Sequence, residues 1–301
     1  MKLLVQPDTG IAPLVKAIRK AKTHVHIAIF RADLKELRQA LEAAVAHGVQ
    51  VHALIADTNR GGEKHLRELE QALLVAGVTV SRTGNDLVRH HGKLIVIDRR
   101  ILFTLGFNYT HLDVFKSRSF GIVIRKRHLV EEALKLFEAD ATRQPYTAGD
   151  DAFVVSPENA RNVLAAFLKK SKRQVLIYDP KISDSAMIRI LQERAKAGVD
   201  VRVIGKVTNK AAGLEVAKLP KLRLHVRAIL RDNSRLFVGS QSLRPLELDQ
   251  RREAGVIVSD PSVIKEFRTV FEADWALTDL GAKAAKAAEA KVGDSHDEAS
   301  P

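Results

Sequence analysis

The sequence predicts an α/β protein made of two tandem, duplicated α/β units, each a mixed β-sheet flanked by helices. Three observations predict it. Segments with apolar residues at helical spacing alternate along the chain with short β-rich runs. Several of those runs are apolar on both faces, as in a sheet covered by helices on each side. The chain also repeats itself. KAKTHVHIAIF at 20–30 aligns with KSKRQVLIYDP at 170–180, and HGVQVHALIADTN at 47–59 with AGVDVRVIGKVTN at 197–209, both 150 residues apart. Later in each unit the offset falls to 134, which aligns His91 with His225, Asp98 with Asp232 and Gly121 with Gly255. The first unit therefore holds 16 extra residues, around GEKHLRELEQALLVAGVTV.

In the first unit IAPLVKAIRKAK reads as a helix and VHIAIF as the strand after it. DLKELRQALEAAVAHG reads as a second helix, with Asp33 as an N-cap candidate and Gly48 at its close, and VQVHALIAD follows as a strand. KLIVID and ILFTLGF read as adjacent strands, then FGIVIR as a strand and LVEEALKLFEAD as a helix. The second unit repeats the order through NVLAAFLKKSK, QVLIYD, SAMIRILQERAKAG, VDVRVIG, LRLHVRAIL, RLFVGS, AGVIVS and SVIKEFRTVFEADW. The turn-forming stretch QPYTAGDD at 144–151 suits a linker, giving an N-terminal domain over 1–147 and a C-terminal domain over 148–280. Beyond it, 281–301 is low in complexity and reads as a frayed helix running into a disordered tail.

Composition narrows the function classes. Without cysteine the chain has no disulfide framework and no thiolate chemistry. MKLLVQPDTG is too short for a secretory apolar region, and no stretch approaches the ~18–20 apolar residues of a membrane span. The expected location is cytoplasmic, peripheral to a membrane. A net charge of +13 favours a polyanionic partner: nucleic acid, an anionic membrane surface or a phosphorylated substrate. The excess is +8 over 1–147 and +6 over 148–280, which suits a cationic cleft or face better than a basic arm; a merely solvated cationic surface is the alternative.

The stretch HGKLIVID at 91–98 sets an imidazole, an ammonium and a carboxylate around an apolar run, and HVRAILRD at 225–232 repeats the offsets with arginine for lysine. On a strand, residues two apart share a face, so His91 projects with Lys93 and His225 with Arg227. Imidazole can serve as nucleophile or proton donor near neutral pH, and the neighbouring cation can hold a phosphate oxygen. Displacing an alcohol from a phosphodiester needs a nucleophile on one side and an acid on the other, which two copies related by a pseudo-twofold would supply. His24, His26 and His52 have no partners at motif spacing and read as structural or surface residues. A His90/His91/His225 metal site lacks carboxylate or cysteine at ligand spacing, so no metal and no cofactor is expected.

The pattern His-x-Lys-x4-Asp with Asn ten residues later resembles the signature of the phospholipase D superfamily, matched here at His91, Lys93, Asp98 and Asn108. The second copy matches at His225, Asp232, Gly239, Ser240 and Glu253. The resemblance covers about residues 1–278. It implies two halves packed with their motifs facing across a central cleft, a monomer that is an intramolecular pseudo-dimer, and metal-independent phosphodiester chemistry through a covalent phosphohistidine. It further implies that the cations and nearby polar residues hold the non-bridging oxygens, while Asp98 and Asp232 support the architecture.

The departures from that pattern are Arg227 for lysine, Ser242 for the second asparagine, and Leu105-Gly106 for Gly-Ser. Ser119 stands where a first-half glutamate is expected, which predicts that His91 lacks a carboxylate to orient it. Lysine at 227 is expected to retain or raise turnover. Glu247 and Asp249 read as loop charges bordering the cleft. Three functions compete: a phospholipase D-type enzyme acting on phospholipid, a nuclease, and a catalytically weakened protein that binds phosphate or lipid. The low aromatic content of 5% leaves few stacking platforms for single-stranded nucleic acid.

Overall fold

The computed structural model describes residues 1–58, 63–208 and 213–287. The first half runs β1 (Lys2–Gln6), α1 (Ala12–Arg19), β2 (His24–Ile29), α2 (Lys35–Ala46), β3 (Gln50–Ile55), α3 (Glu63–Val75), β4 (Thr79–Arg82), β5 (Arg89–His90), β6 (Leu94–Ile97), β7 (Ile101–Leu105), α4 (His111–Phe115), β8 (Ser117–Ile124) and α5 (Arg127–Thr142). The second runs β9 (Phe153–Ser156), α6 (Ala160–Lys169), β10 (Gln174–Ile182), α7 (Ser185–Lys196), β11 (Asp200–Val207), β12 (Glu215–Ala217), β13 (Arg223–Leu224), β14 (Arg227–Arg231), β15 (Arg235–Gly239), α8 (Pro245–Asp249), β16 (Arg251–Val258) and α9 (Pro261–Ala276). The fold is thus the mixed α/β duplication that the repeats predict. The extra stretch of the first half carries α3; β4, which pairs with β3, has its counterpart in β12, which pairs with β11. Of the tail, 281–287 is helical and 288–301 lies outside the described residues. None of the described helices is long and apolar enough to cross a membrane.

Each half builds an eight-stranded sheet, and each sheet takes one strand from the other half. The first has the order β1-β8-β7-β6-β2-β3-β4, with β13 of the second half paired to β8. The second has the order β12-β11-β10-β14-β15-β16-β5, so it ends on a strand of the first half, with β9 also on β16. The period of a strand assigns its residues to layers. Along β6, Leu94 and Val96 join a central core shared by both halves, while Ile95 and Ile97 join an outer core beneath α1, α2 and α3. The central core holds Phe120 and Phe137 of the first half against Tyr178, Phe267 and Phe271 of the second. A third core lies under α6 and α7.

The equivalent helices α2 and α7 start differently, and the N-cap expected at Asp33 is not formed. Asp184 caps α7 by accepting from Met187 N at 3.0 Å. Asp33 does not cap α2, whose N-cap is Leu34; its carboxylate accepts from His111 N at 2.7 Å, tying the start of α4 to that loop.

Candidate active site

The site follows from the strand exchange. Residues 91–93 do not lie in a strand; they carry the chain from β5, in one sheet, to β6, in the other. In the same way His225 and Val226 link β13, on the first sheet, to β14, on the second. Each histidine therefore sits where its chain crosses between the halves, held by the half it is leaving: His91 N donates to Arg252 O at 2.7 Å and His225 N to Arg118 O at 3.2 Å.

His91, Lys93, His225, Arg227, Asn108, Ser240, Ser242 and Glu253 are all buried. His91 Nδ1 lies 2.8 Å from Glu253 Oε2, a carboxylate contributed by the other half. Lys93 Nζ lies against the edge of the same ring, 2.8 Å from each nitrogen. Phe30 packs edge-on at 4.5 Å between centroids, and Lys93 Nζ is 5.6 Å from the Phe30 centroid. The expectation that Ser119 deprives His91 of a carboxylate is corrected here. The crossing pairs each histidine with the opposite half, so Glu253 serves His91, while Ser119, its counterpart at the 134 offset, follows Arg118, whose carbonyl holds the His225 backbone.

Around His225 the polar groups differ. His225 Nδ1 is 3.4 Å from Asp113 Oδ2. That same oxygen accepts from Asn108 N at 2.9 Å and Asn108 Nδ2 at 2.7 Å, while Asp113 Oδ1 accepts from Arg223 Nη1 at 2.6 Å. Arg227 Nε donates to Ser242 Oγ at 3.2 Å, and its Nη2 lies 3.9 Å from Glu247 Oε2. Glu247, expected as a loop charge, is buried: it accepts from Ser242 N at 2.7 Å and pairs with Arg244 and Arg251 at 3.2 and 3.3 Å. Asp249 stays outside this cluster and pairs with Arg161 at 2.5 Å. Ser240 Oγ holds the backbone of Ala254, fixing β16 beside Glu253.

Electrostatics joins the two motifs. Burial, then Lys93 and Arg227, hold the His91 imidazole well below its ordinary pKa. Burial, then Arg227, hold His225 well below as well, with Asp113 opposing and Lys93 adding to the fall. Each histidine thus feels the cation of both motifs. Burial pushes Lys93 down to about 7 although Glu253 opposes it, and burial pushes Glu253 up although Lys93 opposes it. A buried array of this kind makes the junction a candidate functional site by its chemistry.

Asp98 and Asp232 lie at the far ends of β6 and β14. Asp98 accepts from the backbone N–H groups of Lys22, Thr23 and His24 at 2.8 to 3.1 Å, and Asp232 from those of Lys172, Arg173 and Gln174 at 2.7 to 3.1 Å. His90 turns toward Asp86 at 3.3 Å, and no group of three metal-ligating side chains converges among the described residues. His24, His26 and His52 lie apart from the cluster, around Phe137 and Ser81.

Sequence reasoning missed Asp113 and passed over Glu247. A signal existed, because the two are 134 residues apart, the same offset as the histidines. Asp179 was missed too; it is buried and accepts from Leu243 N at 2.8 Å, and burial pushes it up to about 6.

The family model described as "Cardiolipin synthase, PLD-like domain" matches residues 14–141 and 164–275. Among curated relatives, cardiolipin synthase 1 of Bacillus cereus is 23% identical over 340 residues, covering 91% of this chain; the chain spans 66% of that protein's length. Two solved structures share the fold. Polyphosphate kinase from Porphyromonas gingivalis has a TM-score of 0.75 at 18% identity, over 90% of this chain and 49% of that one. Phosphatidylserine synthase of Haemophilus influenzae has a TM-score of 0.68 at 12% identity, over 90% and 86%. With both repeats matched by one family model and two histidine motifs gathered at the junction, the chain belongs to the cardiolipin synthase-type, PLD-like family of the phospholipase D superfamily.

Proposed function

We propose that the protein is a phospholipase D-type phosphodiesterase and phosphatidyltransferase that cleaves phospholipid phosphodiesters through a covalent phosphohistidine. The observation that carries this reading is that both motifs are buried and joined by one chain of contacts, from His91 through Glu253, Arg251 and Glu247 to Arg227 beside His225. One imidazole nitrogen attacks phosphorus and forms the P–N bond while the bond to the leaving alkoxide breaks; the other histidine gives its proton to that oxygen. That second histidine then takes a proton from water or an incoming alcohol, whose oxygen attacks phosphorus and releases the first imidazole. Lys93 and Arg227 hold the non-bridging oxygens, with Asn108 and Ser242 beside them. Arg227 Nη1 and Asn108 Oδ1 are buried without a hydrogen-bond partner in the protein, which suits groups reserved for a ligand. Unliganded, the histidines are kept neutral among cations; an anionic phosphodiester favours protonation of the one that acts as acid.

The relatives named as cardiolipin synthases favour phospholipid as substrate, and the charge of +13 favours peripheral attachment to an anionic bilayer. The test is to incubate the protein with phosphatidylcholine and phosphatidylglycerol vesicles and with plasmid DNA, each with and without EDTA. Headgroup release that survives EDTA and is lost in His91→Ala is expected. DNA nicking without headgroup release would replace this reading with a nuclease. No turnover on either substrate, with vesicle binding retained, would make the protein a phosphate- or lipid-binding one.

A further inference from the structure

We propose that Asp113 is the positioning residue of His225, standing in for a carboxylate that the first half lacks at position 119. The kinetic consequence rests on the phosphodiesterase reading above, but the geometry does not.

In the second half, Arg252 O holds the His91 backbone and the next residue, Glu253, reaches the ring. In the first half, Arg118 O holds the His225 backbone, and the next residue is Ser119. Ser119 is fully buried and its Oγ has no hydrogen-bond partner. The loss extends to the neighbour. Ser240, which steadies β16 beside Glu253, has Gly106 as its counterpart, where a Cβ would come within 3.0 Å of both Gly239 O and Phe120 O. Both parts of the support seen at His91 are therefore missing at His225.

Asp113 fills that role from α4. Its Oδ2 is 3.4 Å from His225 Nδ1, within ion-pair range but without a hydrogen bond, so the link is a charge facing the ring; the side chain is buried and fixed by Asn108 and Arg223. Thr110 Oγ1 accepts from Asp113 N at 3.2 Å and so fixes the start of its helix. Its counterpart Glu247 is occupied by three arginines and Ser242 N, so the same position in the repeat does different work in each half. A carboxylate facing Nδ1 sets the ring's orientation and stabilises its protonated form. The charged groups that act on His225 are Arg227 of β14, Asp113 of α4, Lys93 and Arg223 of β13. Without the Asp113 charge, His225 is left among cations alone.

The experiment follows His225 by histidine-resolved NMR titration of the full chain, alongside headgroup release from phosphatidylglycerol vesicles. Asp113→Asn keeps the side-chain shape and is expected to lower the His225 midpoint by about one pH unit while leaving His91 in place. It should lower kcat about tenfold with KM changed less than about twofold. Ser119→Glu added to it restores a carboxylate at the other position and is expected to recover both the midpoint and turnover. Ser119→Glu alone, which leaves Asp113 untouched, should raise the midpoint even if Asp113→Asn proves unstable. An unmoved midpoint in Asp113→Asn, or in Ser119→Glu, overturns the proposal. If the wild type turns over no phospholipid, the phosphodiesterase reading fails, and the titration still decides on Asp113.

Discussion

Lys93 and Arg227 occupy equivalent places in the two motifs, yet their surroundings differ in size. The shorter cation stands in the half that carries Asn108, and the longer one in the half that carries Ser242, its counterpart at the 134 offset. Arg227 Nε uses the room the serine leaves to take Ser242 Oγ, and its fork turns toward Glu247. A lysine there would lose both contacts and leave Glu247 with less compensation. The geometry therefore argues against the expectation that lysine alone retains or raises turnover. We expect Arg227→Lys to lower kcat/KM roughly ten- to a hundredfold, the worth of one hydrogen bond to a charged group, and Arg227→Lys with Ser242→Asn to recover most of it. Steady-state kinetics decides this, and an undiminished single variant would refute it. The four motif residues and Glu253 were legible because their spacing survives in one dimension. The partner of Glu253 was not, since the sequence pairs residues within a repeat and the strand exchange pairs them across.

The element that anchors each motif is a hairpin. β6–β7 turns through Asp98 and Arg99, and β14–β15 through Asp232 and Asn233, all four with φ near +50°. Positive φ at both central residues is the signature of the tight turn that matches strand twist. Aspartate tolerates it, and each carboxylate then gathers the backbone N–H groups that precede β2 or β10. Burial pushes Asp98 up, but the N–H groups of Thr23, His24 and Lys22 outweigh it and hold the carboxyl below its usual range. A depressed folded pKa contributes stability above the unfolded value and loses it as pH falls through the folded one. Asp98→Asn is expected to cost about 1–2 kcal/mol at neutral pH, for lost charge-assisted hydrogen bonds. The cost should fall away in acid, as pH drops through the depressed folded pKa and the wild-type carboxyl is itself protonated. Urea unfolding at neutral and at acid pH checks this; an equal cost at both would show that the charge is not what matters. These hairpin strands were readable from their apolar runs. β5 and β13 were not, because a two-residue strand has no period and exists only through its partner in the other half.

The repeats that suggest separable domains build something less divisible. Cutting after residue 147 would strip β5 of β16 and β8 of β13, and remove Glu253 from His91. It would also sever two buried ion pairs that cross between the halves in mirror image. Arg118 of β8 holds Asp274 of α9 at 2.7 Å, and Arg252 of β16 holds Asp140 of α5 at 3.0 Å. Removing one partner of a buried pair costs about 3–5 kcal/mol each, comparable to the whole stability of a domain. The cut would further expose the central core, where Phe120 packs against Tyr178 and Phe267 at 5.3 and 5.0 Å between centroids. Chains 1–147 and 148–301 expressed apart are therefore expected to lack cooperative unfolding and to aggregate or self-associate. Expressed together, they should copurify and regain headgroup release, since every crossing contact named here is non-covalent. Size-exclusion chromatography with thermal unfolding reads the first outcome, and copurification with the vesicle assay reads the second. A monomeric isolated half with a sharp transition near that of the full chain would show instead that each repeat is a domain in its own right. In that case the strand exchange contributes to the site but not to the fold.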